Sequence, residues 1–232
     1  MKHLVILSGA GMSAESGIST FRDSGGLWEK YDISVVASME GWYQDKELVL
    51  QFYNDRRRQL QQVEPNRGHQ IIAELEKDFQ VSVVTQNVDD LHERAGSSYV
   101  LHLHGELTKA CSSNNKKFVY DIGYKDILLG DKAEDDSQLR PFIVWFGEPV
   151  PLIEKAAGIV TSADILVVVG TSLQVYPAAG LVDFARPGTT VYLIDPKEVR
   201  SNRQVEMIQE KASVGLALLR DKLGGIIEEL KN

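Results

Sequence analysis

The sequence predicts an α/β fold, a Rossmann-like doubly wound parallel sheet with a small inserted module. Short apolar, β-branched runs alternate along the chain with stretches of helical periodicity, as expected for strands buried on both faces of a parallel sheet. The first apolar run, residues 4–7, leads directly into a glycine-rich turn that begins at Gly9. A strand that ends in such a turn is typical of sheets that bind nucleotides.

The predicted elements follow this alternation in order. The predicted strands are bounded by Gly, Asn, Asp or Pro and lie at residues 4–7, 81–85, 100–103, 165–169 and 191–194. The predicted helices lie at about residues 46–62, 67–77, 151–161, 177–185 and 215–230.

Two segments break the alternation. Residues 23–62 contain a glycine-rich loop and then a helical insertion, and residues 108–140 are polar and charged. The second segment is either a small satellite module or a mobile loop. We therefore expect one domain over residues 1–232, with its two parts divided as follows: a large Rossmann-like part at 1–25, 63–107 and 141–232, and a small module at 26–62 and 108–140.

Composition excludes several classes of protein. The net charge of -8 argues against general nucleic-acid binding, which needs a basic surface. No apolar run approaches the roughly 18–20 residues of a membrane span. The single cysteine, Cys111, rules out an intramolecular disulfide and suits a reducing compartment. We expect a cytoplasmic protein that binds neither nucleic acid nor a membrane; the short cluster Arg56-Arg57-Arg58 is explained most simply as a solvated helix face.

The turn after the first strand fits a dinucleotide-binding pattern. Gly9, Gly11 and Ala14 match G-x-G-x-x-G/A, in which small residues let backbone N–H groups and a following helix approach a phosphate. An ordinary tight turn is the alternative. Residues 19–28 are polar and glycine-rich where a dehydrogenase would have a long helix. The pattern thus indicates a dinucleotide bound by something other than a standard dehydrogenase.

A second candidate site follows the strand at 81–85. Gln86 and Asn87 each offer a donor and an acceptor, and Asp89 adds an acceptor. Side chains at the carboxyl end of a parallel strand face the ligand crevice, so this group could hold a carboxamide or a ribose. Helix capping by Asn87 or Asp89 is the alternative.

Two histidines form the third candidate site. On a strand, His102 and His104 would share one face, and Gly105 would leave room beside His104 for a substrate. No third ligand of suitable spacing completes a metal site with Glu106, so His104 is better interpreted as a general base. We interpret His102 as structural. Three further histidines are also interpreted as structural: His3, His69 and His92.

The fourth candidate site lies at the ends of the last two predicted strands. Gly170, Thr171 and Ser172 form a turn with hydroxyls and N–H groups that suit a phosphate or a ribose. Asp195 follows the next strand, where an acid commonly holds a ribose diol. In a dehydrogenase this acid comes about 20 residues after the glycine turn, so its late position here argues against that class.

These blocks together resemble the sirtuin family, the NAD-dependent protein-lysine deacylases. Order and spacing agree from residue 4 to about residue 215. The matching blocks are GAGMSAESGISTFR from Gly9, TQNVDDLH from Thr85, HG at His104, FGE at Phe146 and GTS at Gly170. The resemblance is to the bacterial branch with desuccinylase and demalonylase activity.

The resemblance implies that NAD is a co-substrate. The acyl-lysine oxygen would attack the nicotinamide ribose, and the products would be lysine, nicotinamide and O-acyl-ADP-ribose. His104 matches the catalytic base, and Asn87 matches the second catalytic position. The implied NAD-binding residues are Gly9, Ala10, Gly11, Ser13, Ala14, Phe21, Arg22, Trp28, Gln86, Asn87, Val88, Asp89, Gly170, Thr171, Ser172, Asp195 and Ala212. Whether Ile194 or Asp195 contacts the adenosine ribose stays open, because the family usually has Asn there.

Substrate choice is predicted from the segment after residue 46. Tyr53 and Arg56 lie three apart on a predicted helix, so they share a face, and a phenol with a guanidinium can bind a carboxylate. Sirtuins with this pair remove succinyl, malonyl or similar acyl groups; the alternative is a solvated Arg56. The peptide is expected to bind by β-augmentation. The remaining implied substrate-binding residues are Val144, Phe146, Gly147, Glu148 and Val175.

The chain departs from the family at its zinc site. The family commonly holds a structural zinc on two C-x-x-C pairs within the segment that matches 108–140. Here Cys111 remains, Asn114 occupies the second position of its pair, and no cysteine precedes Gln138. One thiolate cannot hold a tetrahedral structural zinc. We predict no metal, with the module stabilised by packing or partly mobile.

Three other functions compete with the deacylase. A protein ADP-ribosyltransferase would share the NAD site, yet it does not obviously need His104 as a base. A non-catalytic NAD-binding module would not need Asn87, Asp89 and His104 together. A dehydrogenase lacks a nearby acid and a hydride-acceptor domain. The physiological protein substrates and the oligomeric state stay open.

Overall fold

A computed structural model describes residues 1–18, 31–171, 173, 177–199 and 203–231, with side chains through 225. Within these residues six parallel strands form one sheet in the order β3-β2-β1-β7-β8-β9. Numbered in chain order, they are β1 (His3–Ser8), β2 (Gln80–Thr85), β3 (Val100–His102), β7 (Ile165–Val169), β8 (Thr190–Ile194) and β9 (Glu206–Ile208). The strand order reverses between β1 and β7, so the predicted doubly wound α/β sheet is confirmed.

Both faces of this sheet are covered, which explains the continuous apolar runs. Successive side chains of a strand point to opposite faces. Leu4 and Ile6 accordingly lie in one buried cluster, whereas Val5 and Leu7 lie in the other. The helices that lie outside the small module are α1 (Gly11–Ala14), α5 (Arg67–Glu74), α6 (Leu91–Arg94), α7 (Ile153–Thr161) and α8 (Ala212–Lys231), together with 3-10 helices Leu75–Lys77 and Ala178–Phe184.

The segment 108–140 contains part of a second, antiparallel sheet, so the mobile-loop alternative does not describe it. Its strands, in the order β5-β4-β6, are β4 (Gly105–Ser112), β5 (Val119–Asp121) and β6 (Leu139–Ile143). Three helices pack with β4 and β6 in a third buried cluster: α2 (Ile33–Val36), α3 (Met39–Gln44) and α4 (Lys46–Gln62). The division of the chain into a large part and a small module stays a prediction, which these separate clusters support.

The structure differs from the predicted elements in four of the places described here. Residues 178–184 form a 3-10 helix, and α8 begins at Ala212 rather than near residue 215. The short edge strand β9 was not predicted; it has only three residues. Strand β3 ends at His102, and the backbone bends before β4. The expectation that His102 and His104 share one strand face is therefore wrong.

No helix within the described part of the chain is long and apolar enough to cross a membrane.

Candidate functional site

The glycine turn after β1 is packed against the turn after β7 by backbone contacts. The Gly9 N–H donates to the Val169 carbonyl at 3.0 Å, and the Gly11 N–H donates to the Gly170 carbonyl at 2.8 Å. A Cβ on Gly11 would lie 2.8 Å from the Gly170 Cα. Gly170 has φ +63, and its Cβ would lie 2.2 Å from the Met12 nitrogen. Glycine is therefore required where the strand order reverses.

The helix that begins in this turn is a single turn long. Helix α1 covers only Gly11–Ala14, with Ala10 as its helical N-cap residue, and Ala14 at its end is exposed. Ser13, by contrast, is buried. The match to the dinucleotide pattern thus holds at its two glycines, but the pattern's long helix is absent from the residues described here.

Ser13 joins the glycine turn to the segment after β2. Its hydroxyl donates to Asp89 Oδ2 at 2.9 Å and accepts from Asn87 Nδ2 at 3.0 Å. The Ser13 proton goes to the carboxylate, so the Asn87 amide must turn its NH2 toward Ser13 and its oxygen away. Asp89 also accepts the Leu91 N–H at 3.2 Å. Burial raises the pKa of Asp89, and the Ser13 hydrogen bond opposes that shift.

Hydrogen bonds from two hydroxyl residues support the Asn87 backbone: Ser8, which was not singled out from the sequence, and Thr85, which begins the TQNVDDLH block. The Ser8 hydroxyl donates to Thr85 Oγ1 at 2.8 Å, and Thr85 Oγ1 accepts the Asn87 N–H at 3.0 Å. His92 Nε2 lies 3.0 Å from Ser8 Oγ. Burial lowers the pKa of His92 well below its ordinary value, so this histidine is neutral and part of the buried framework. A small hydroxyl residue inside a buried strand, such as Ser8 in β1, is the sequence signal that could have indicated these supporting hydrogen bonds.

The other histidines interpreted as structural also have protein partners. His69 Nδ1 accepts the Asn66 N–H at 3.3 Å in a capping box of α5. Nε2 of His3 lies 2.9 Å from the Ser82 hydroxyl. These contacts agree with a framework role for both.

His104 lies just beyond β3 with a defined tautomer. Its Nδ1 is 3.1 Å from the Gln86 carbonyl, and a carbonyl only accepts, so Nδ1 carries the proton and Nε2 keeps a lone pair. Burial lowers the pKa of His104, against a smaller raising effect of that carbonyl. His104 is therefore a neutral imidazole near pH 7 and can take up a proton at Nε2.

Glycine is required at position 105 for a reason other than the predicted one. Its φ is +84, and a Cβ there would lie 2.0 Å from the Phe142 carbonyl oxygen. The backbone of β6 fills the space beside this glycine. The expectation that Gly105 leaves room for a substrate is wrong, because the close approach is made by the protein itself.

His102 uses both ring nitrogens inside the protein. Nδ1 lies 2.9 Å from the Asn87 carbonyl, and Nε2 lies 2.7 Å from Glu93 Oε1. Burial would lower the pKa of His102, but the Glu93 carboxylate and the Asn87 carbonyl raise it above its ordinary value. This histidine therefore holds the Asn87 backbone in place, in agreement with its structural interpretation. Glu93 was not singled out from the sequence.

The residues expected at the remaining part of the NAD site are only partly brought together. Gln86 Nε2 donates to Thr171 Oγ1 at 3.2 Å, which joins the ends of β2 and β7. Asp195 follows β8 and accepts the Lys197 N–H at 2.9 Å. Ala212 is buried at the start of α8, and the Val88 carbonyl accepts the Leu107 N–H. Five predicted site residues lie outside the described residues: Phe21, Arg22, Trp28, Ser172 and Val175.

The predicted acyl pair lies on α4 as expected. Tyr53 is buried, and its hydroxyl accepts the Trp145 indole N–H at 2.9 Å. Burial raises the pKa of Tyr53 to about 12. Arg56 is half-buried. Burial lowers its pKa, and the nearby Tyr53 and Asp89 oppose that shift, so Arg56 is electrostatically linked to the Asn87–Asp89 segment through Asp89.

The three consecutive arginines do not form a solvated face. Arg57 is fully buried and donates to the Asn54 side chain and to the Leu107 carbonyl. Arg58 is exposed and pairs with Asp55 at 2.6 Å. The prediction of a solvated cluster is wrong for Arg57, because successive side chains lie about 100° apart around a helix and Arg57 falls on the buried face of α4.

The segment after β6, where a peptide is predicted to bind, forms backbone hydrogen bonds with two other parts of the chain. Val144 donates its N–H to the His104 carbonyl, and Phe146 donates to the Ala37 carbonyl, each at 2.9 Å. The Phe146 ring is exposed, and Gly147 has φ +87. Glu148 turns its carboxylate inward and binds Arg140 at 3.0 and 3.2 Å. Peptide binding at Glu148 would therefore use its backbone.

The region of the family's zinc site is joined by hydrogen bonds. The Ser112 hydroxyl is 2.6 Å from Asp135 and 2.8 Å from Ser137, and it accepts the N–H groups of Asn114 and Asn115. Cys111 is a free, buried thiol whose pKa is raised by burial. Among the described residues no group of three or more His, Cys, Asp or Glu side chains could hold a metal ion. The absence of zinc stays a prediction.

The geometry of this site defines the class of protein to which the chain belongs. Glycines that allow close backbone approach lie at the switch point of a doubly wound sheet, and a hydroxyl, an amide and a carboxylate lie beside them. These donors and acceptors fit a nucleotide with a carboxamide and ribose hydroxyls. The chain is a Rossmann-type protein with a dinucleotide-binding site.

Comparison with known proteins narrows this class. A family profile described as "Sir2 family" matches residues 9–177. An NAD-dependent protein deacylase of Bacteroides thetaiotaomicron is 57% identical over 230 residues, which cover 96% of this chain and 98% of the relative. This chain belongs to the Sir2 family, the sirtuins.

Solved structures of the family share the fold. A Sir2 homologue in complex with NAD has a TM-score of 0.88 at 36% identity, covering 97% of this chain and 91% of that chain. A Sir2 variant with a deacetylated p53 peptide and 3′-O-acetyl ADP ribose has a TM-score of 0.81 at 30% identity, covering 94% and 92%.

Proposed function

We propose that this protein is an NAD-dependent protein-lysine deacylase that removes acetyl groups and, with preference, succinyl and malonyl groups. One observation carries the proposal: the Gln86 carbonyl fixes the His104 proton on Nδ1, so Nε2 can take up a proton next to the Ser13–Asn87–Asp89 group. The names of its relatives support the reaction class, and a Sir2 structure with bound NAD supports the co-substrate.

Each part of the site has a task in this reaction. When bound, NAD supplies the ribose carbon that takes the acyl oxygen as nicotinamide leaves. Asn87 and Asp89 orient the nicotinamide end, and the turns at Gly9 and Gly170 bring backbone close to the pyrophosphate. His104 Nε2 accepts the proton of a ribose hydroxyl. That hydroxyl then attacks the acyl carbon, and addition of one water molecule breaks the bond to the lysine nitrogen, which gives lysine, nicotinamide and O-acyl-ADP-ribose.

The acyl preference rests on Tyr53 and Arg56. Both lie on α4, one turn apart; Arg56 carries the positive charge, and the Tyr53 phenol stays neutral because burial raises its pKa to about 12. A guanidinium beside a phenol O–H offers two kinds of donor to a carboxylate, and charge-assisted hydrogen bonds of this type are the strong ones. The peptide would lie along the backbone of residues 146–148, in the manner of an added strand.

The test uses NAD with a set of one peptide that carries acetyl-, malonyl- or succinyl-lysine. The wild-type enzyme should have a higher kcat/KM for the two acidic acyl groups. Arg56→Met should lower kcat/KM for succinyl-lysine by about 10- to 100-fold, the range for a lost bond to a charged group, and change acetyl-lysine turnover by less than about twofold. Arg58→Met, an exposed arginine on the same helix, is the matched control.

Two results would contradict the proposal. Equal or better turnover of acetyl-lysine, unaffected by Arg56→Met, would remove the acidic-acyl preference. Mass spectrometry that finds ADP-ribose attached to the peptide, and no loss of acyl group, would favour an ADP-ribosyltransferase instead.

A further inference from the structure

We infer that Trp145 is a positioning residue for acyl selectivity, because its indole N–H fixes the Tyr53 hydroxyl with its proton available to the carboxylate of an acidic acyl group. The inference rests on the proposed function and adds a residue to it. Trp145 follows β6, 92 positions from Tyr53 along the chain, and reaches it only through the fold.

The hydrogen bond between these side chains runs in one direction. Nε1 of Trp145 lies 2.9 Å from the Tyr53 oxygen in buried surroundings, and an indole nitrogen donates but cannot accept. The Tyr53 oxygen must therefore accept, and its own proton is left for another acceptor. Burial raises the pKa of Tyr53 to about 12, so the phenol keeps this proton throughout the neutral pH range.

The indole is itself held from three sides. The Arg140 guanidinium lies 3.4 Å from the centroid of the Trp145 ring, and the Trp42 ring centroid lies 5.6 Å away. The Trp145 backbone N–H donates to Glu148 at 2.8 Å. Trp145 is only 2% exposed. The direction of its indole N–H is therefore set by the folded protein, before any substrate binds.

The two parts of the acyl pair then have separate tasks. Arg56 supplies positive charge one turn along α4. Tyr53 supplies a neutral donor whose direction Trp145 fixes. A succinyl or malonyl carboxylate would accept from both, whereas an acetyl group has no carboxylate to offer. Loss of the indole N–H should therefore lower selectivity and leave acetyl-lysine turnover almost unchanged.

The experiment measures kcat/KM with NAD for succinyl-lysine and acetyl-lysine versions of one peptide. Trp145→Phe should lower the succinyl-to-acetyl ratio about three- to tenfold, the range of one neutral hydrogen bond. In a Tyr53→Phe background the same change should shift the ratio by less than about twofold, because the group it acts through is gone. Calorimetry of peptide binding without NAD should give the same ratio of Kd values.

Phe79→Leu is the matched control, since it removes buried aromatic area from a separate core cluster without touching Trp145 or Tyr53. Its ratio should equal that of the wild type. Both substrates report on the same folded molecules, so the ratio stays valid for a variant that is partly unfolded. An unchanged ratio in Trp145→Phe would overturn the inference, as would an equal fall with and without Tyr53.

Arg56→Met separates this inference from the proposed function. If Arg56→Met removes the preference for succinyl-lysine and Trp145→Phe does not change it, only the role of Trp145 is wrong. If the wild-type enzyme has no such preference, the acidic-acyl function fails, and the role of Trp145 fails with it.

Discussion

The two ends of the site are built from different materials. At the NAD end, small residues let backbone meet backbone, and the polar side chains come mainly from two short segments, residues 8–13 and 85–89, together with His104. At the acyl end, buried polar side chains depend on partners far away in sequence: Tyr53 on Trp145, and Arg57 on Leu107. The first end tolerates little change of shape, and the second tolerates little loss of a polar partner.

The largest expected effect lies at the NAD end. His104→Ala should lower kcat for deacylation by about 10²- to 10⁴-fold, the usual contribution of a general base. NAD and acyl-peptide affinity should change little, because the side chain is proposed to act on a proton. Steady-state kinetics with direct binding measurements would show this split between kcat and affinity.

The pH profile of the wild type checks the same assignment. Burial lowers the pKa of His104 below 6.5, so kcat/KM should rise with pH along an acid limb centred below that value. A limb centred above 6.5, or full activity of His104→Ala, would mean that another group takes the proton.

The next largest effect is on stability, at the acyl end. Arg140 is buried, and the Glu148 side chain is 9% exposed; Arg140→Met would leave the Glu148 carboxylate with Lys116 and the Trp145 backbone N–H. Breaking a buried pair costs roughly 3–5 kcal/mol, so the free energy of unfolding should fall by about that amount in urea titrations.

Lys116→Met is the control for this comparison. Lys116 binds the same carboxylate at 2.6 Å, but it is 39% exposed. A surface ion pair contributes about 0–1 kcal/mol. Equal losses in the two variants would show that the acyl end does not depend on burial of its polar partners.

A smaller, pH-dependent effect is expected where the two ends meet, at Glu93 and His102. Burial would lower the pKa of His102, but Glu93 raises it above the ordinary 6.5, so the pair stabilises the fold below that pH and less as pH rises through the folded value. Burial would raise the pKa of Glu93, yet the His102 bond lowers it below the ordinary 4.5. The stabilisation from Glu93 is therefore fully present above pH 4.5 and is lost as the pH falls through the lowered pKa of Glu93.

Glu93→Gln should therefore lower Tm most between about pH 5 and 6.5, by a few degrees, and less at pH 8. Differential scanning calorimetry across this range measures the difference. Glu154→Gln, which removes the same charge from an exposed position on α7, should show no such window. A constant difference at every pH would mean that the pair is not coupled to His102 titration.

The same contrast explains how much the sequence could predict. The doubly wound sheet can be predicted from apolar runs such as residues 165–169. The segments at Gly9 and Asn87 are local motifs, and their residue types alone indicate which ligand groups they can bind. Trp145 and Arg140 carry no local signal, because their roles come from contacts made only after folding. Gly105 was misread for the same reason, since its neighbour Phe142 is distant in sequence.

The smallest expected effect is that of treating the protein with a metal chelator. The predicted zinc-free module has a single buried thiol at Cys111 and a hydrogen-bonded group around Ser112 that joins residues 112–115 to residues 135–137. Elemental analysis of purified protein should find far less than one zinc per chain, and a chelator should leave Tm unchanged. Ser112→Ala should lower the free energy of unfolding by about 1–3 kcal/mol, because buried donors and acceptors lose a partner. Stoichiometric zinc, or unfolding on chelation, would show that this region depends on a metal after all.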